Sequence, residues 1–323
     1  MPLPSATTMR TPDADNVRRG YIQSWNVALE RRLPFDMSVN AAYVGTKTTR
    51  GFADLELNVS PAGGGEQGRA FFRQFGRTAS TLLWSGITKA QYHSLQMQLT
   101  RPFKKGLLLR GGYTFGKTMN MADQDGWVGV LYNSPDVFDR NYAPAGFDRR
   151  HSFTLAYAYQ LPFGGPERDT TFLNALAKGW QINGTFAAYT GTPFTVTASN
   201  VSLDQRGNQQ TADLVGELRR ISNGVDEPFY DTSAFANVTE QRYGNTGRNQ
   251  FYGPGYWNYN MSLFRTFPLQ GRQRLQFKVE GFSIANNPQF SNPNPSVTSG
   301  SFMRITGTRA SARNVRVGLR FEF

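Results

Sequence analysis

Apolar and polar residues alternate one by one along much of this chain. At the C-terminus Val315, Val317, Leu319, Phe321 and Phe323 share one parity, and Asn314, Arg316, Gly318, Arg320 and Glu322 share the other. The segment from Arg274 repeats the pattern, with Leu275, Phe277 and Val279 set against Arg274, Gln276, Lys278 and Glu280. Phe153, Leu155, Tyr157 and Tyr159 oppose Ser152, Thr154, Ala156 and Ala158 in the same way. A period of two marks β-strands, because successive side chains of a strand point to opposite faces. Nine strands are predicted, over residues 20–32, 36–47, 90–102, 106–118, 147–161, 179–191, 256–267, 272–284 and 312–323. Each is far longer than the roughly 5–6 residues of an ordinary globular strand. A tilted strand crossing a bilayer needs about 9–11.

The connections add a second regularity. Short turns fall at Leu33-Pro34-Phe35, Phe103-Lys104-Lys105 and Pro268–Gly271. Long segments, 48–89, 119–146, 192–255 and 285–311, fall between them, with a medium one at 162–178. Short turns on one side and long loops on the other describe an outer-membrane barrel, with the turns periplasmic and the loops extracellular. Aromatic residues cluster where strands meet turns (Phe35, Phe103, Phe163, Trp180, Phe267, Phe323) and again at the far ends (Tyr43, Tyr113, Phe115, Tyr189, Trp257, Tyr259). Two such groups suit the interfacial girdles of a membrane barrel. The predicted fold is therefore all-β: an antiparallel transmembrane β-barrel section spanning 20–323, with 1–19 an irregular segment at the end of an extracellular loop. Nine is an odd number, whereas bacterial barrels have an even count and both ends in the periplasm. Residues 1–10 also lack the apolar core of a signal peptide. Both features lead to the expectation that an odd number of further strands precedes this chain.

Composition narrows the alternatives. Aromatic residues are 14% of the 323, Gly and Pro number 33 and 17, and Cys is absent. Disordered chains are poor in aromatics, so disorder is excluded, and the turn-rich mixture is unlike a helical bundle. Without Cys there is neither a disulfide nor a thiolate metal site. The net charge is +12. The loops 48–89, 119–146, 197–255 and 285–311 hold 13 basic and 14 acidic residues, so the excess positive charge lies on strands, short turns and the N-terminal segment. Arg110, Arg274, Lys278, Arg316 and Arg320 fall on the polar parity of their strands. A lipid-facing Arg or Lys at mid-bilayer costs about 2–4 kcal/mol, so these five are expected to face the lumen. There they either pair with neighbouring acids or favour anionic solutes.

No catalytic constellation emerges, and the chain is expected not to be an enzyme. His93 and His151 are the only histidines. Asp123-Gln124-Asp125-Gly126 starts like a calcium loop but lacks its downstream Glu. No cofactor is expected, and no nucleic-acid recognition fold accompanies the basic residues. Loop aromatics Trp84, Trp127, Tyr132, Tyr230 and Tyr252 either stack on a solute or pack against one another.

Several segments carry a family resemblance. Gly20-Tyr21-Ile22-Gln23-Ser24-Trp25-Asn26 with Glu30-Arg31-Arg32-Leu33-Pro34 resembles a strand and turn of TonB-dependent receptors, in particular the Oar-like branch. Phe147-Asp148-Arg149-Arg150-His151 with Leu161-Pro162-Phe163-Gly164 resembles another strand pair of that branch. So do Tyr243-Gly244-Asn245, Gly247-Arg248-Asn249 and Gly253-Pro254-Gly255, and the stretch from Arg272 through Asn286-Asn287-Pro288-Gln289-Phe290. Asn260 departs from the pattern, which has an acid there. The resemblance implies an outer-membrane receptor of 22 strands with an N-terminal plug. Its partners would be membrane lipid, the TonB energy-transducing complex, the barrel-assembly machinery and an unidentified solute. Val315, Val317, Leu319, Phe321 and Phe323 would form the C-terminal assembly signal. A surface adhesin or a structural barrel without active transport is the alternative.

Overall fold

The computed structural model describes residues 7–15, 17–124, 129–163, 178–310 and 312–323. All nine predicted strands are present: β1 (Tyr21–Leu33), β2 (Met37–Glu56), β3 (Thr81–Lys104), β4 (Leu107–Asn120), β5 (His151–Gln160), β6 (Trp180–Tyr189), β7 (Tyr256–Pro268), β8 (Arg274–Phe282) and β9 (Asn314–Glu322). Each pairs antiparallel with its sequence neighbour, so the sheet runs from β1 to β9 without a crossover. The sheet is open, with β1 and β9 at its edges. Among the described residues, no helix is long and apolar enough to cross a membrane.

Register turns the alternation of each strand into two continuous faces. Val39, Leu99, Gly111, Leu155, Phe186 and Tyr259 lie on one row across six strands. One residue along, Ser38, Thr100, Arg110, Ala156, Thr185 and Asn260 form the next row. A slip of one residue in any strand would exchange its two faces, so the apolar parity itself holds the register. On the apolar face, large rings cover glycines on adjacent strands. The Trp25 indole lies where a Cβ on Gly45 would sit, and the Tyr157 ring does the same at Gly184.

The hairpin turns follow their chemistry. Phe35 and Asp36 both have positive φ, as do Lys105 and Gly106. Two successive left-handed residues make the tight turn whose twist suits a hairpin. Lys104 Nζ reaches Asp36 Oδ1 at 2.6 Å and ties the two turns together. Arg101, nearly buried, donates Nε to the Phe35 carbonyl at 3.0 Å and Nη1 to the carbonyls of Lys104 and Leu107.

Two expectations need correction. The connection between β2 and β3 is not a loop from 48 to 89, because β2 continues to Glu56 and β3 begins at Thr81. These extensions show no apolar alternation because loops cover them. Gly51, Ala53, Asp54 and Glu56 are buried on both parities. A bulge at Arg50, which has positive φ, bends β2 where the extension starts. The segment before β1, expected to be irregular, contains a four-residue strand, Met9–Pro12, parallel to Thr81–Trp84. Arg10 fixes it with a two-point contact to Asp54, at 2.9 and 2.6 Å. Within the medium connection, residues 164–177 lie outside the described residues.

The apolar core does not lie under the sheet. Phe194, Val196, Ala198, Ala212, Ala234, Phe235, Phe251 and Met303 form the buried cluster, and all come from the long connections. The molecule is a two-faced sheet capped at one end by an ordered layer of loops.

Candidate functional site

The polar face and the loop layer above it are where chemistry gathers. Four of the five basic residues singled out from the sequence meet on two strands. Arg316 of β9 stands opposite Glu280 of β8, Lys278 opposite Gly318, Arg320 opposite Gln276, and Arg274 opposite Glu322. Acids are interleaved with them. Lys278 Nζ lies 2.6 Å from Glu280 Oε1, and Arg320 Nε lies 3.2 Å from Glu322 Oε1. The Arg316 guanidinium stacks 5.2 Å from the Phe282 ring centre, and its Nε donates to Asn314 Oδ1. Arg110 sits apart, on β4, four strands from β8 and hence roughly 19 Å away across the sheet. Asn260, where the resemblance has an acid, donates to Thr185 Oγ1 at 3.2 Å and accepts from the Ser283 amide at 2.9 Å.

Loops are ordered by polar side chains that sequence reading did not single out. Glu56 Oε1 accepts the amides of Asn58 and Thr81, at 3.0 and 2.8 Å. Asn58 in turn accepts the Phe71 amide and donates to the carbonyls of Arg77 and Ala79. Buried Arg77 donates to Thr81 Oγ1 and to the carbonyls of Thr7 and Ser80. Arg248 joins three segments. Its Nη1 donates to Asn120 and to the Asn141 carbonyl, and its Nη2 lies 2.9 Å from Asp123 Oδ1. Asp123, read from the sequence as the start of an incomplete calcium loop, is thus engaged by an arginine. Asp125 and Gly126 lie outside the described residues, among which no metal-ligating cluster exists. No local motif marks these partners, because Asp123 and Arg248 are 125 positions apart.

The described aromatic residues that the sequence assigned to loops pack on protein, and Trp84 belongs to β3. Trp84 stacks on Phe52 with ring centres 4.3 Å apart. Tyr132 is buried edge-on against Tyr243 at 5.6 Å, with the Arg140 guanidinium over both rings. Burial pushes both phenols above their ordinary range. Tyr230 donates to the Tyr252 carbonyl at 2.8 Å. Trp127 lies outside the described residues. Asp213 is gripped by Arg242 at 3.0 and 2.7 Å and accepts the Asn245 amide. The Arg242 guanidinium holds that carboxyl below its usual range. Both histidines sit among aromatics at the loop end of the apolar face. His93 Nδ1 meets the Tyr43 hydroxyl at 2.8 Å and His151 Nδ1 the Tyr113 hydroxyl at 2.7 Å.

An open sheet with one greasy face, one polar face and a one-sided cap is a section of a membrane barrel. The chain matches the model of the outer membrane beta barrel domain over residues 2–316, and it belongs to that family. It is an outer-membrane protein, and barrels of this kind turn their apolar face to lipid. In fold it resembles an outer membrane transporter. The outer membrane transporter YddB from Escherichia coli is similar over 97% of this chain and 33% of its own, with a TM-score of 0.51 and 9% identity. The siderophore receptor PiuA from Acinetobacter baumannii is similar over 92% of this chain and 28% of its own, at TM-score 0.47 and 8% identity. This chain therefore spans about a third of the length of the transporters it matches. No curated protein matches the sequence.

Proposed function

We propose that the chain is the loop-bearing C-terminal section of a TonB-dependent receptor that captures a solute outside the cell and passes it inward. The observation that carries this reading is the ordered, polar loop layer set at one end of a polar-faced sheet. Such a cap gives selective access to a lumen, whereas a purely structural barrel needs only short loops. The long strands and the fold likeness to an outer membrane transporter support the same reading. Segment motifs such as Gly20–Asn26 and Phe147–His151 favour the Oar-like branch. On this reading the TonB contact and the plug belong to other parts of a larger barrel, the barrel-assembly machinery reads β9, and the chain has no enzymatic role.

The test compares spent medium from three strains: wild type, a strain lacking the reading frame that encodes this chain, and a strain lacking TonB. A solute depleted by the wild type and retained by both mutants is the expected result. Equal depletion by all three, with loss of surface attachment in the first mutant, would replace transport by an adhesin role.

A further inference from the structure

Three lysines stand on the apolar parity at one corner of the sheet. Register puts Lys47 of β2, Lys89 of β3 and Lys117 of β4 on the same face as Val27, Leu95 and Phe115. All three are exposed, and all lie where the strands approach the loop layer. Lys117 is opposite His93, Lys47 opposite Gln91 and Lys89 opposite Thr49. Neighbouring strands are about 4.8 Å apart and two residues rise about 6.8 Å, so the backbones of Lys89 and Lys117 lie roughly 8 and 12 Å from that of Lys47. Long flexible stems let the three ammonium groups converge on one headgroup.

Nothing on that face neutralises them. From β1 to β9, outside the loop-covered extensions of β2 and β3, no Asp or Glu has the apolar parity. The strand acids Glu30, Glu280 and Glu322 have the opposite one. Among the described residues none of the three lysines is paired with an acid, and Lys89 Nζ instead lies 4.9 Å from the Tyr142 ring centre. At the loop end of the nine strands, Lys or Arg has this parity on β2, β3 and β4 alone. The charge is therefore a patch and not a belt around the barrel.

The neighbouring rows give the patch its depth. One step toward the turns lie Trp25, Tyr43, His93, Phe115 and His151, joined by the Tyr43–His93 hydrogen bond and a Phe115–His151 contact of 5.0 Å. Such rings sit at the level of lipid headgroups, which places the lysines among the headgroup phosphates. Further toward the turns the face is apolar and open, with Val27 and Leu29 each 73% exposed beside Leu95 and Met97. Apolar surface below an uncompensated cationic patch matches a lipid with acyl chains below a multiply anionic headgroup.

We infer that this corner binds a lipid of the outer leaflet that carries two phosphates. One phosphate meets Lys47 and Lys89, the other meets Lys117, and the acyl chains lie along Val27, Leu29, Leu95 and Met97. The site rests on the outer-membrane location and is independent of the transport reading. The experiment takes the full product of the native reading frame, purified from outer membranes and delipidated in mild detergent. Native mass spectrometry then follows titration with bisphosphorylated lipid A, the same lipid dephosphorylated, and phosphatidylglycerol. The bisphosphorylated lipid should bind, and the other two should bind at least roughly tenfold more weakly.

Lys47→Gln combined with Lys117→Gln should weaken that lipid by about tenfold or more. Arg at both positions should retain it, because the charge is kept. Lys105→Gln, in a turn at the opposite end of the sheet, should leave it unchanged. Gel mobility before and after heating checks that each variant is folded. Lys117→Gln alone, expected to cost at least roughly threefold, serves if the pair loses its folded mobility. Equal binding by the folded Gln variants and the wild type overturns the site. So does equal binding of the dephosphorylated lipid or of phosphatidylglycerol, or failure of the bisphosphorylated lipid to bind.

Discussion

At the scale of single residues, the side chains that hold this molecule together mostly satisfy backbone groups at places where strands stop. Arg101 is the clearest case. It serves the carbonyls of two adjacent turns from a nearly buried position. Replacing it with Gln strands those carbonyls at the turn end of the sheet. Arg101→Gln should cost about 2–3 kcal/mol, the scale of a lost charged hydrogen bond plus an unsatisfied acceptor. The check is the urea midpoint for loss of heat-modifiable mobility, with Lys104→Gln as the comparison. The exposed Lys104–Asp36 pair should contribute far less. Gly184 is constrained by space, because the Tyr157 ring occupies the position of its missing Cβ. Gly184→Val should displace that ring and break its 2.5 Å contact with the Tyr259 hydroxyl. Tyrosine fluorescence and the same urea midpoint report both effects.

At the scale of elements, β9 and the loop layer answer to different forces. Every residue of β9 is exposed, Val315, Val317, Leu319 and Phe321 along the apolar face among them. What recommends it is its end, where Phe321 and Phe323 stack with ring centres 6.1 Å apart. If the terminal ring is read by the assembly machinery, Phe323→Asp should lower outer-membrane levels much more than Phe321→Leu, which keeps the lipid face apolar. Equal levels for Phe323→Asp and wild type would leave Phe323 as a girdle residue only. The loop layer is instead held by polar pairs and a small apolar cluster, and it should respond to acid. The carboxyl of Asp213 has a lowered pKa because Arg242 grips it. A lowered carboxyl contributes stability above its unfolded pKa and loses it as pH falls through the folded one. Protease resistance of the 197–255 loop should therefore drop below about pH 4. Asp213→Asn should already show the weaker loop at neutral pH, with little further change on acidification.

At the scale of the whole molecule, the sheet's two edges decide how the chain behaves. β1 and β9 each present an unpaired row of backbone groups. In lipid an unsatisfied backbone group costs several kcal/mol, so an open edge does not persist there. Residues 1–323 produced alone are expected to aggregate or to pair edge to edge in detergent. A monodisperse, heat-modifiable monomer would show that the nine strands close on themselves. The distribution of charge belongs to the same scale. Two of the four basic residues on β8 and β9, Lys278 and Arg320, pair with Glu280 and Glu322, which tempers the positive field that the sequence total suggests.

The sequence by itself determined the nine long strands, their order and which face of each is apolar. A period of two in hydrophobicity is a local property, and a bilayer on one face with water on the other preserves it. It also placed Arg274, Lys278, Arg316 and Arg320 on the polar face, because parity alone settles that. Tertiary structure decided everything the loops do. The extensions of β2 and β3 are covered on both faces, so no alternation announces them. Asp123 finds Arg248 and Arg10 finds Asp54 across separations that no local pattern encodes. Loop chains meet by packing their few apolar residues and satisfying their polar ones, and such pairings are fixed only when distant segments are brought together.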